Sequence, residues 1–316
     1  MDENRIHVVA AVLHRKHTFL IAKRPAHLHQ GGLWEFPGGK VGNNETALDA
    51  LKREIKEEVN LNINRARPFI QIKHDYADKK ILLDVWLVES FSGEATGLEN
   101  QEVKWVSEDE LLQHEFPAAN HPIITALRLP PRCLITPDPG KQTDFFLQKL
   151  VNTLITGIDL IVLRAKSLDT HEYKNLAQKV NALCAIYDSQ LLVYGDADLV
   201  EQVRADGLHL SSHDLLACKT RPISPDKWLS ASCHTEYEIE HAEKIGVDFV
   251  FLSAVLETNS HSDAFLLGWN GFQRLVANAK IPVYALGGMS TEHLPLAFDA
   301  GAQGIAGISG LWIDSV

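Results

Sequence analysis

The chain has 316 residues, 45% of them hydrophobic and 22% charged, with a net charge of −11. That length suits two domains of ordinary globular composition, and both halves are acidic: residues 1–130 hold 16 Lys and Arg against 19 Asp and Glu, residues 131–316 hold 14 against 22. Neither half is a basic surface for polymeric nucleic acid, no apolar run reaches the roughly 20 residues of a membrane span, and the acidic start MDENRIHVV lacks the regions of a secretory signal.

In chain order, HVVAAVLH (7–14) and TFLIAKR (18–24) read as two strands joined by a short turn. GGLWEFPGG (31–39) reads as a Gly-rich loop, and NETALDALKREIKEEV as a helix with Asn44 or Thr46 as N-cap. ILLDVWLVESF (81–91) is a long strand, and SEDELLQ (107–113) opens a second helix with an S-x-x-E capping box. These elements predict an α+β domain with a mixed sheet over residues 1–130. The Pro-Pro pair of LRLPPR (127–132) breaks the pattern there.

Beyond it, short apolar runs alternate with helical stretches: RCLIT, DLIVLR, LLVY, GLHL, WLSA, DFVFL, IPVYAL and GIAGI. Strands alternating with helices imply βαβ units and a parallel sheet. Eight runs predict a small (β/α)8 TIM-type barrel over residues 131–316, although a doubly wound sheet fits the same alternation. Four scattered cysteines, Cys133, Cys184, Cys218 and Cys233, include no CxxC pair. They read as thiols of a reducing cytoplasm, so a cytoplasmic location is expected.

The first helix poses a problem. Glu54 and Glu58 form a like-charged i,i+4 pair, which costs a bare helix about 0.2–0.5 kcal/mol. Arg53 stands between Asp49 and Glu57 and can serve both, leaving Glu54 and Glu58 without such a partner. A divalent cation would relieve the repulsion, and hard oxygen ligands select Mg2+ or Mn2+. The spacing is specific: Gly39, five residues, Glu45, seven residues, then Arg53-Glu54-Ile55-Lys56-Glu57-Glu58.

This stretch resembles the Nudix box of hydrolases that act on a nucleoside diphosphate linked to another group. Asn60 replaces the usual Gly near the box end, and Asn tolerates the left-handed conformation of a helix C-cap. AKRPAHLHQGGLWEFPGGK (22–40), LVESFSGEATGLENQEVKWV (87–106) and FPAANHP (116–122) are similar to the MutT type. That type hydrolyses 8-oxo-dGTP to the monophosphate and pyrophosphate and so cleanses the nucleotide pool before DNA replication. The resemblance implies Mg2+ among the Gly38 carbonyl, Glu57, Glu58 and Glu99. Glu54 would orient or deprotonate the attacking water and join the metal set, with Arg53 in the same catalytic group. Arg24, His29 and Lys40 would touch the nucleotide, Glu35, Phe36, Pro37 and Gly38 would form the loop beneath it, and Asn120 would read the base. An Asn amide accepts one bond and donates two, which suits the N7–H and O6 of 8-oxoguanine; ordinary guanine presents two acceptors there. Lys79 stands where Arg is usual, which removes a bidentate fork.

Residues 132–312 resemble the thiamin phosphate synthase and thiazole tautomerase barrels through DLIVLRAK (159–166), ADGLHLSSHDL (205–215), the segment 230–255 and the segment 281–312. Loops after strands seven and eight often bind phosphate in such barrels, which marks Gly288 and Ser309 for a phosphorylated small molecule. Arg164, Lys166 and Asp214 are kept, while Val162, Tyr194-Gly195 and His261 replace the Gln, Asn-Asp and Lys that a synthase would carry. The ETN and GGMS segments are closer to the tautomerase branch, which makes His234 a candidate proton carrier. Two other readings stand beside these: hydrolysis of a thiamin-pathway pyrophosphate coupled to the barrel, and a barrel that only binds.

Overall fold

The computed structural model describes residues 5–27, 29–258 and 265–313, and the chain divides into two units, Met1–Arg128 and Leu129–Val316. The first unit is built on β1 (Ile6–Arg15), β2 (Thr18–Lys23), β3 (Trp34–Glu35), β4 (Gly38–Lys40), α1 (Ala47–Val59), β5 (Asn62–Asp75), β6 (Lys80–Ser92), β7 (Val103–Ser107), α2 (Glu108–Leu111) and α3 (His121–Leu127). The strands form one seven-stranded sheet in the order β3-β2-β1-β6-β5, with β4 added to β1 and β7 to β2. β1 and β6 run parallel and the other pairs antiparallel, so the sheet is mixed as expected.

Alternation along β1 splits the core. Val9, Ala11 and Leu13 face α1, meeting Leu51, Ile55 and Val59. Ala10 and Val12 face the other way, toward Phe36, Phe116 and Ile123. The apolar residues of α1 recur at i and i+4, the spacing that lines one helix face. Thr46 caps the helix by accepting from the Asp49 amide at 3.2 Å, and Asn60 closes it in the left-handed region at φ 58°. Ser107 makes the expected capping box with Glu110.

Two readings need correction. GGLWEFPGG is not wholly a loop, because it contains β3 and β4. Glycines permit this: a Cβ on Gly38 would strike the Val9 carbonyl and one on Gly39 would strike the Glu54 carboxylate. The second is an omission. β5, 14 residues long, went unread because register shifts between Ile63 and Ile70 break its alternation around Arg65, Arg67 and Pro68.

The second unit is a closed parallel barrel of β8 (Arg132–Ile135), β9 (Leu160–Leu163), β10 (Gln190–Tyr194), β11 (Gly207–Leu210), β12 (Trp228–Cys233), β13 (Phe249–Leu252), β14 (Val283–Leu286) and β15 (Gly304–Gly307). All eight runs expected from the sequence are strands. Helices α4 (Thr143–Leu154), α5 (Thr170–Ile186), α6 (Ala197–Val203), α7 (Ser212–Ala217), α8 (Glu236–Ile245), α9 (Gly268–Val276) and α10 (Leu294–Asp299) follow in turn. The barrel interior is filled by Val162, Leu192, Phe249, Phe251 and Tyr284, so it is a packed core with its site at one rim. The four cysteines are unpaired. Among the described residues no helix is long and apolar enough to cross a membrane.

Candidate functional site

In the first unit a cavity of about 260 Å³ opens on the sheet, lined by Arg24, His29, Glu35, Phe36, Gly38, Lys40, Glu58, Glu99 and Asn120 among others. Nine sequence-predicted residues therefore meet in one place. Glu35 pairs with Arg24, whose Nε also donates to the His29 carbonyl at 3.0 Å. Phe36 is buried and stacks on Phe116 at 5.8 Å, so it serves as floor and core at once. Asn120 is buried at the start of α3, and its side chain makes no cap hydrogen bond. The amide is thus left for the cavity it lines.

Glu58 carries the electrostatics of this cavity. It accepts from the Gly38 amide at 3.0 Å. Burial, with Glu35, Glu99 and Glu54 adding repulsion, pushes its carboxyl up to about 8. A partly desolvated carboxylate repelled by three others marks local negative potential, even with Glu35 held by Arg24 and Glu54 by Arg53. The loop carrying Glu99 is tied to α1 through Gln101, which donates to the Glu58 carbonyl at 3.1 Å and accepts from the Glu99 amide at 2.8 Å. Gln101 and the cavity-lining Tyr76 were missed from the sequence, and neither is part of a spaced motif that could have exposed it.

Glu54, Glu57, Arg53 and Pro37 do not line the cavity. Of the two expected partners of Arg53, Glu57 is found and Asp49 is corrected. Asp49 bonds to Thr46 at 2.7 Å. Arg53 grips Glu45 through two 2.9 Å contacts and reaches Glu54 at 2.7 Å and Glu57 at 3.2 Å. A helical side chain leans toward the helix N-terminus, and Glu45, just before that end, offers a carboxylate matching the guanidinium fork. Glu54 therefore has a cationic partner and lies against Gly39. As the side chains stand, no three His, Cys, Asp or Glu groups among the described residues are placed to hold a metal. The donor chemistry still fits a hard cation, since Glu58 and Glu99 line one cavity and Glu58 is destabilised by its acidic neighbours.

In the second unit a cavity of about 330 Å³ sits at the carboxyl ends of the strands, with Arg164, Tyr194, His209, His234, Gly288 and Ser309 in its wall. Lys166 and Asp214 do not line it; Asp214 accepts from the Ser211 hydroxyl at 2.6 Å at the start of α7. Gly288 stands at φ +70°, where a Cβ would lie 2.6 Å from the Glu257 carbonyl, so this loop requires glycine. His234 is half-exposed, with Nδ1 3.5 Å from Glu238. Tyr194 bonds to Ser232, which also meets His209 Nε2 at 2.9 Å, while His209 Nδ1 meets Ser230 at 2.8 Å. This buried network was not foreseen. His261 lies outside the described residues.

A family model described as a NUDIX domain matches residues 8–126, and one described as thiamine monophosphate synthase matches residues 133–311. Over 97 residues the chain is 40% identical to an 8-oxo-dGTP diphosphatase of Proteus vulgaris, covering 30% of this chain and 87% of that protein. Over 179 residues it is 35% identical to a putative thiamine-phosphate synthase 2 of Aquifex aeolicus, covering 57% of this chain and 96% of that one. A solved thiamine phosphate pyrophosphorylase from Pyrococcus furiosus is 26% identical with a TM-score of 0.47, spanning 56% of this chain and 85% of that one.

Proposed function

The chain belongs to the Nudix family through residues 8–126 and to the thiamine monophosphate synthase family through residues 133–311, and from that premise we propose that its first unit hydrolyses 8-oxo-dGTP to 8-oxo-dGMP and pyrophosphate. The observation that carries this reading is the cavity in which half-buried Glu58, repelled by its acidic neighbours, shares walls with Arg24 and with buried Asn120, whose side chain makes no cap hydrogen bond. Asn120 would accept from N7–H of the oxidised base and donate to O6. Arg24, already fixed by Glu35, would carry part of the phosphate charge. Glu58, Glu99, Glu57, Glu54 and the Gly38 carbonyl would hold Mg2+, or Mn2+ in its place, Glu57 by leaving Arg53. When bound, that cation neutralises phosphoryl oxygens and lowers the pKa of water. Glu54 would align or deprotonate the water that attacks the β-phosphorus. The role is nucleotide-pool sanitation in the cytoplasm. Competition of 8-oxo-dGTP against dGTP tests it, with Asn120→Ala alongside: the wild type should prefer the oxidised nucleotide and the variant should lose the preference. Equal use of both by the wild type would refute it.

For the second unit, His234 on the cavity wall beside Glu238 favours a tautomerase-like proton transfer on a phosphorylated heterocycle. The Gly288 and Ser309 loops would take the phosphate, and Arg164 would supply the positive charge. Tautomerisation of a thiazole phosphate that disappears in His234→Ala would support this; its absence from the wild type would leave the barrel as a binding module.

A further inference from the structure

One buried polar atom of the first unit's cavity has no place in the fold's own hydrogen bonding. His29 lines the cavity, and its Nε2 is buried without a partner among the described residues. Buried ring nitrogens are ordinarily satisfied, so one in a cavity wall marks a position for something the cavity takes up. The other ring nitrogen, Nδ1, lies 3.3 Å from an Asp78 oxygen.

The ring is well fixed. Tyr76 meets it edge-to-face at 4.9 Å. The Tyr76 hydroxyl bonds to the backbone of Ala119, next to Asn120. Arg24 holds the His29 carbonyl at 3.0 Å, and the Tyr76 amide bonds the Lys79 carbonyl at 2.9 Å, closing the turn that presents Asp78.

A carboxylate only accepts hydrogen bonds, so the nitrogen facing it carries the hydrogen. In a neutral imidazole the lone pair then lies on Nε2. We propose that Asp78 is a positioning residue that sets this tautomer, so that His29 presents Nε2 as an acceptor to an O–H or N–H donor of the nucleoside part of the bound nucleotide. An ionised phosphate chain has no hydrogen to offer, so this contact reads the nucleoside. The inference rests on the nucleotide reading of the cavity, which already has His29 touching the nucleotide, and adds Asp78 as the residue that sets the sense of that hydrogen bond. Two sources share the required chemistry, a sugar hydroxyl and a base N–H.

Two measurements on the full chain test it. Long-range proton–nitrogen spectra at mildly alkaline pH should place the His29 hydrogen on Nδ1, and Asp78→Ala should move population to the Nε2–H form. With dGTP and the divalent cation present, His29→Ala should raise KM about five- to tenfold, the loss of one hydrogen bond, with kcat within about twofold. Asp78→Ala should raise KM less and add nothing in a His29→Ala background. Dideoxy-GTP separates the donors: the His29→Ala effect vanishes there if a sugar hydroxyl is the partner and persists if the base is. A wild-type ring protonated on Nε2, alone or with Nδ1, overturns the proposal, as does an unchanged KM in His29→Ala. A wild type inactive on every nucleoside triphosphate overturns the nucleotide reading itself and the recognition role with it, an outcome distinct from the wrong tautomer in an active enzyme.

Discussion

His209 offers a prediction whose size follows from geometry. It is 1% exposed, held between the Ser230 and Ser232 hydroxyls at 2.8 and 2.9 Å. Burial pushes its pKa down from 6.5 to about 3, with Asp214 offsetting this in part. For a base depressed in the folded state, the unfolded chain takes up the proton first as pH falls. The stability contributed by neutral His209 is therefore complete above about pH 6.5 and is lost on the way down toward 3. Between about pH 6.5 and 5 the loss does not depend on how far below 5 the folded value lies. At about 1.36 kcal/mol per unit it comes to about 2 kcal/mol. The assay is urea unfolding of the full chain at about pH 7.5 and 5, read by hydrogen exchange in β11 and β12. The comparison is His209→Gln, whose amide can bond a serine hydroxyl without titrating. Wild type should lose about 2 kcal/mol more than the variant, and that difference cancels the other titrating groups. If the variant fails to fold, the imidazole nitrogen shifts of the wild type decide alone. A protonation midpoint near 6.5 in the folded protein would refute the reasoning.

Three further outcomes are expected. Glu54→Gln should cut nucleotide turnover by about 10²-fold or more while leaving far-UV and near-UV circular dichroism unchanged, as befits a general base; unchanged turnover would remove Glu54 from that role. EDTA should abolish hydrolysis and added Mg2+ restore it, and full activity in the chelator would end the metal reading. Leu51→Ala, which deletes a fully buried side chain between α1 and β1, should destabilise the first unit by about 2–5 kcal/mol in denaturant unfolding; a loss below 1 kcal/mol would mean that the helix is not seated as described.

The parts of this molecule that were legible in its sequence are those governed by period and local capping. The eight barrel strands follow from apolar runs at regular intervals, and α1 from its i,i+4 stripe, Thr46 and Asn60. Strand β5 was lost because bulges shift its faces and Pro68 sits within it, so no short window alternates. Side-chain partnerships were legible only in part. Helix spacing paired Arg53 with Asp49 and left Glu54 alone, but Arg53 turned back to Glu45 and also took Glu54, a preference for a two-pronged carboxylate that helix spacing does not encode. The same limit explains Asp78 and His29, which lie far apart in sequence and meet only because the turn before β6 brings them together. Likewise His209, Ser230 and Ser232 come from neighbouring strands and become a network only once β11 pairs with β12 in register. In both units these polar side chains are joined by tertiary pairing, whereas the residues that build the scaffold announce themselves by spacing. A substitution that changes β11–β12 register would therefore break the polar network while leaving the apolar pattern of every strand intact, because the network depends on which residues face each other and the pattern does not.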